Sequence, residues 1–210
     1  MKVLPQNTDE MRRLAEHLEG QRTAMLSFSD DHGQITARPM TPLEMDAQGE
    51  IWMLASRRAM APIFVAALRQ TNLTFSDAER SLHISIAGVA RLSDDAERQA
   101  ALWTTMARPW FPGGADDPDL VLLAVQPQLA DIWDGPDSEV MRLLALTASL
   151  VAARPIGLGE HQVIKACEAR QDAAETKMKA DYDVAQQRCD AMNGDAKDAC
   201  VASARARFGQ

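Results

Sequence analysis

The stretch MLASRRAMAPIF, residues 53–64, sets Ser56, Arg57 and Arg58 between a short apolar run and a proline-bearing segment of helical character. A hydroxyl, two guanidinium groups and the free N–H groups of a helix's first turn are donors suited to an anion, a phosphate above all. Other chemistry-bearing patterns are sparse. Asp116, Asp117 and Asp119 crowd the segment DDPD, but aspartates ahead of a proline more often cap a turn than bind a cation. His17, His32, His83 and His161 are scattered and none has a partner at zinc spacing, so no metal site is expected. No Gly-x-Ser-x-Gly, Walker loop or dinucleotide fingerprint occurs, which leaves hydrolase, kinase and dinucleotide-fold readings without support.

All three cysteines, Cys167, Cys189 and Cys200, lie near the C-terminus. In one continuous helix Cys189 and Cys200 would stand about 16 Å apart, too far to bond. If the chain reverses at Asn193–Asp195 they face each other across a helical hairpin and can form a disulfide; in a reducing compartment the alternatives are free thiols or a redox-responsive pair.

The elements that position these residues follow from capping signals and periodicity. Thr8 is an N-cap candidate for a helix ending at Gly20, with Met11, Leu14, Ala15 and Leu18 on one face. TAMLSF and QITARPMTPLEM read as a hairpin turned by SDDHG, EIWMLA as a third strand, and a helix is expected from about Ala59 to Gln70. NLTFSD and LHISIAGVARL alternate as strands, DDAERQAALWTTMA reads as a helix stopped by Pro109, and LVLLAVQP is a buried strand with QLADIWD as its continuation or partner. Five to seven strands joined mostly by short connections predict an antiparallel barrel of the α+β kind, because a parallel sheet needs longer crossovers. From Ala166 to Gln210 the chain has twelve alanines, no proline and no tryptophan, the composition of solvated helix.

Composition bounds the class. With 46% hydrophobic and 25% charged residues the 210-residue chain has ordinary globular usage. A net charge of −8 leaves no basic excess for a nucleic-acid backbone. The N-terminal residues show no apolar run of the secretory type, and LLALTASLVAA (143–153), the longest apolar stretch, is too short to span a bilayer. That stretch is expected to be a buried core helix, and the protein is expected in the cytoplasm without membrane contact.

The fragments HGQITARPM, IWMLAS followed by a helix, IAGVARLSDD leading to LW, and WFPGGADDPDLVLLAVQPQLADIWD, in this order, resemble the general stress protein family of FMN-binding split β-barrels, relatives of pyridoxamine 5′-phosphate oxidase. The resemblance covers about residues 8–155. It implies a six-stranded antiparallel split β-barrel with flanking helices over residues 1–158; the tail lies outside it and is expected, from its composition, to be a helical extension over 159–210. It further implies a homodimer with FMN, or FAD, in the groove between subunits, and, if the protein is an enzyme, a flavin-dependent oxidoreductase. Arg38 and Met40 would share the face of their strand that meets the flavin, Pro39 between them marking an edge or bulge. Trp110 and Phe111 are read equally as flavin cover across the dimer and as anchors of their own loop.

Members of the family grip the FMN phosphate with a threonine, a serine and a lysine after the third strand. This chain has Ala55, Ala59 and Ala61 at those places. The loss of one charge-assisted and two neutral contacts lowers FMN affinity by about two to four orders of magnitude unless Ser56, Arg57 and Arg58 substitute. Two readings follow: a flavin-binding general stress protein, and a cofactor-free split-barrel dimer that meets a protein partner through its helical tail.

Overall fold

The computed structural model describes residues 1–29, 33–64, 68–136, 146, 148–150, 152–153, 160–190 and 192–208. They fall into two compact units, Met1–Cys167 and Glu168–Gln210, each described by itself.

The first unit is one sheet with flanking helices. Its strands are β1 (Lys2–Val3), β2 (Ala24–Ser29), β3 (Ile35–Met40), β4 (Pro42–Met45), β5 (Ile51–Ser56), β6 (Arg69–Asp77), β7 (Leu82–Ser93), β8 (Leu120–Asp134) and β9 (Glu160–Ile164). They run in the order β1-β4-β5-β8-β7-β6-β2-β3, with β9 added on β8. Every pairing is antiparallel except the two-residue contact of β1 with β4. Strands β3 and β4 stand near opposite ends of this order, yet only Thr41 separates them in the chain. Two Cα–Cα steps reach at most about 7.6 Å, so the sheet must curl until its ends approach. A curled open sheet with flanking helices is the split β-barrel that the resemblance implies.

The curl is assisted inside β8. Its 15 residues pair with β7 along one edge, while the other edge is shared by β5, opposite Leu120–Val125, and β9, opposite Ala130–Asp134. Ala87 faces Leu129 and Gly88 faces Pro127, leaving Gln128 as the extra residue of a bulge. A proline without an N–H and a glycine without a Cβ are the residues such a bulge accepts. A Cβ on Gly88 would lie 2.4 Å from the Gln126 carbonyl oxygen. Alternation fills the barrel: Leu26 and Phe28 of β2, Leu73 and Phe75 of β6, Ile84 and Ile86 of β7 and Ile132 of β8 are all buried.

Helix α1 spans Asp9–Leu18. Thr8 caps it by accepting the Met11 N–H at 3.2 Å, and the four apolar residues of its one face are buried. Several expectations are corrected. The single strand expected over 34–45 is two, β3 and β4. The helix expected from Ala59 to Gln70 is a four-residue turn, α2 (Arg57–Met60), and Arg69 and Gln70 already belong to β6. Pro62 is the reason, since it lacks the N–H that would continue the helix. Helix α3 (Ala96–Leu102), capped by Asp95, stops before Trp103 rather than at Pro109. Of the apolar stretch 143–153, residues 146, 148–150 and 152 are helical; Leu146 is 47% and Leu150 74% exposed, so within this chain that helix is not buried. Strand β9 was not foreseen, and the turn at Asp30, Asp31 and His32 lies outside the described residues.

In the second unit, helix α4 (Ala166–Asp190, whose first two residues belong to the first unit) and helix α5 (Asp195–Phe208) form a hairpin. Gly194 turns the chain at φ 63°. Cys189 and Cys200 are bonded, with an S–S distance of 2.01 Å. Lys197 pairs with Asp190 at 2.9 Å, and the Tyr182 ring meets the edge of Phe208 at 6.2 Å between centroids.

Candidate functional site

The site grows from the end of β5. Ser56 pairs with Leu120 at the last rung of the β5–β8 ladder, so antiparallel geometry sets Arg57 opposite Asp119. The Arg57 N–H donates to the Asp119 carbonyl at 2.6 Å. One rung beyond the sheet, α2 begins, and the Asp119 carboxylate lies against its first turn.

That carboxylate takes four hydrogen bonds. Ser56 Oγ donates to Oδ2 at 2.7 Å and the Arg58 backbone N–H to Oδ1 at 2.9 Å; Arg58 Nε and Nη2 follow at 3.2 and 3.5 Å. Ser56 Oγ also accepts the Ala59 N–H at 3.2 Å. The Asp119 side chain is only 16% exposed. The Arg58 backbone N–H and then the Ser56 hydroxyl, with a smaller share from the Arg58 guanidinium, hold its carboxyl below the usual carboxylate range. Arg57 turns elsewhere: its Nη2 donates to Asp94, whose carboxyl this bond also lowers.

Arg38 reaches the same place from the sheet's other end. It lies on the inner face of β3 with Met40, opposite Leu26 and Ala24 of β2. Its guanidinium donates to the Ala59 carbonyl at 3.0 Å and stands 5.7 Å from the Phe28 ring centroid. Pro39 points to the outer face beside Met25. Thus Arg38, Ser56, Arg57 and Arg58 converge on α2. Trp110 and Phe111 part company: Phe111 is buried and anchors the loop, whereas Trp110 is 73% exposed. Asp117 caps that loop, accepting the N–H groups of Gly113 and Asp119, both at 2.9 Å.

A second polar centre holds β5 in place. Asp46, buried at 3% exposure, accepts the N–H groups of Gln48 and Glu50 on Oδ1, both at 3.0 Å, and Trp52 Nε1 and Arg98 Nη1 on Oδ2 at 2.8 and 3.1 Å. Arg98 and Arg91 stand 4.2 and 5.1 Å from the Trp52 ring centroid, and Arg91 also holds Glu50.

Sequence reasoning missed Asp119 and Asp94 as partners of the arginines, and Asp46 altogether. Asp119 lies more than 60 positions from Ser56, so local spacing carries no sign of the pairing. The ladder register does.

Comparison with known proteins agrees with this architecture. The family model described as pyridoxamine 5′-phosphate oxidase like matches residues 9–155, and the chain belongs to that family. It is 35% identical over 46 residues to general stress protein 26 of Bacillus subtilis (strain 168), a match spanning 22% of this chain and 32% of that relative's length. A solved structure assigned as general stress protein 26, from Jannaschia sp. CCS1, superimposes with a TM-score of 0.59 at 26% identity, covering 71% of this chain and 94% of that one. The general stress FMN/FAD binding protein of Xanthomonas citri gives 0.53 at 28% identity, covering 62% and 92%.

A flavin phosphate does not fit the start of α2 as built here. Three of its expected contacts are alanines, Ser56 and Arg58 are bonded to Asp119, and Arg57 to Asp94. A phosphate dianion brought onto Ser56 and the Arg58 backbone N–H would lie against the Asp119 carboxylate, which already accepts from both.

Proposed function

We propose that this chain is a flavin-binding general stress protein: a homodimer whose two barrels take FMN, or FAD, in the groove between subunits and hold it by its ring. Any oxidoreductase chemistry would then be the flavin's, the protein orienting and shielding it. The observation that carries the reading is Arg38, half-buried on the inner face of β3 with Met40 beside it and its guanidinium anchored on Ala59. The FMN/FAD binding protein of Xanthomonas citri supports it as a relative. Arg38, Pro39 and Met40 are the cofactor side of the site, and Trp110 is exposed for flavin cover across the pair. Met25, Ile35 and Pro39 make an exposed, largely apolar outer face on β2 and β3 that pairing of subunits would cover.

A second reading, the cofactor-free dimer working through its helical tail, is favoured by the internal partners of Ser56, Arg57 and Arg58. Among the described residues no helix is long and apolar enough to cross a membrane. We propose a cytoplasmic protein, in which Cys189 and Cys200 would be a redox-responsive pair. The visible absorption spectrum of the purified protein, followed by fluorescence titration with FMN and FAD, separates the two readings. A flavin spectrum, or saturable quenching at one flavin per chain, is expected; a colourless protein that quenches neither ligand supports the second reading instead.

A further inference from the structure

We propose that Asp119 is a specificity determinant: its carboxylate fills the anion position at the start of α2, so that this chain selects a ligand without regard to a phosphate and resists inorganic phosphate at the same place. The ligand class, a flavin, rests on the reading above; the exclusion of phosphate does not.

The protons of Ser56 Oγ and the Arg58 backbone are already committed. Ser56 has one hydroxyl proton, and it goes to Asp119 at 2.7 Å while the oxygen accepts from Ala59. The Arg58 backbone has one N–H, also given to Asp119, and the Arg58 guanidinium closes on the same carboxylate through Nε and Nη2. An incoming phosphate therefore has no uncommitted donor on Ser56 or on the Arg58 backbone. It must displace Asp119 and then lie beside it. The Asp119 backbone is held on both sides, by the Arg57 N–H on its carbonyl and by its own N–H on Asp117, so its Cα stays opposite the turn. The Arg58 backbone N–H and the Ser56 hydroxyl favour its ionised form, so it is charged at neutral pH.

The test compares riboflavin with FMN, which differ by the phosphate, on the native protein and on Asp119→Asn, with thermal midpoints in inorganic phosphate against chloride at equal ionic strength. Native protein should bind FMN no more than threefold tighter than riboflavin. Asp119→Asn should gain about tenfold for FMN and nothing for riboflavin, and phosphate should raise the midpoint of the variant alone. If the variant does not fold, the native comparisons still decide. FMN at least tenfold tighter than riboflavin on native protein, phosphate stabilisation of native protein, or a folded variant that gains nothing overturns the proposal. If native protein binds neither flavin, the flavin reading falls, and the phosphate midpoints alone judge Asp119.

Discussion

Replacing Asp46 by alanine tests whether the β4–β5 hairpin depends on one buried carboxylate. The change removes the acceptor of two turn N–H groups, of the Trp52 indole N–H and of Arg98. Gln48 and Glu50 lie in the turn, partly open to water, and their N–H groups recover part of what they lose. Trp52 is buried, so its indole N–H does not, and Arg98 keeps Glu44 at 4.0 Å and the face of the Trp52 ring. Removing one member of a buried, hydrogen-bonded charge pair costs about 3–5 kcal/mol. Against a typical net stability of about 5–15 kcal/mol this is a large share. For a unit of this size it lowers the thermal midpoint by roughly 6–20 °C. Urea unfolding followed by tryptophan emission gives the free energy directly, with an unchanged slope showing that the same surface is exposed. Asp46→Asn keeps an oxygen for one set of partners and should lose about half as much. A loss below about 1 kcal/mol for alanine would refute the assignment of Asp46 as the hairpin's anchor.

Four further outcomes are expected. Arg57→Ala with Arg58→Ala should change FMN affinity by less than about twofold and the midpoint by about 2 °C or less, since both arginines serve exposed ion pairs; a tenfold loss of FMN binding would assign the phosphate to them. Gly88→Ala should destabilise by about 1–3 kcal/mol in denaturant titration, because its Cβ would strike the Gln126 carbonyl; a neutral result would mean the bulge shifts freely. The folded-state pKa values of Asp119 and Asp94 are depressed, so their stabilisation is fully present above about pH 4 and is lost as pH falls through the lower folded values. Midpoints recorded on acidification should therefore fall less steeply for Asp119→Asn than for native protein, and parallel curves would remove Asp119 from the linkage. Reduction of the Cys189–Cys200 bond, or Cys189→Ser, should cost the helical hairpin about 3 kcal/mol from the loop it closes and expose its lysines and arginines to trypsin; equal protection with and without reductant would show that packing alone holds it.

The parts of the fold legible in the sequence are those with a local cause. Thr8 and the spacing of Met11, Leu14, Ala15 and Leu18 specify α1 because capping and a buried stripe act within one element. The alternation in LHISIAGVARL specifies β7 because both of its faces have settled environments. What was not legible depends on distant partners. In β9, EHQVI reads as polar, and it is a strand because the far half of β8 has a vacant edge beyond the Ile51–Val125 rung, where pairing with β5 stops. The break at Thr41 is invisible to alternation, since β3 and β4 are both extended and differ only in which end of the sheet they join.

The site divides in the same way. Ser56, Arg57 and Arg58 declare donors near a helix start, and in the structure they stand at one turn with Arg38 bonded to its Ala59 carbonyl. Donors alone do not make an anion site, because the same residues serve an acceptor from within the chain equally well. Which occurs is decided by the residue facing the turn across the sheet, and only the register that pairs Ser56 with Leu120 identifies it as Asp119. Without that register, DDPD reads as a turn, and two of its aspartates are indeed spent near it: Asp117 caps the loop, while Asp119 extends the ladder by one rung and lends its carboxylate to α2. The three alanines at 55, 59 and 61 and the carboxylate at 119 therefore belong to one physical statement: a turn whose donors are satisfied internally has no need of the side chains that would hold a phosphate.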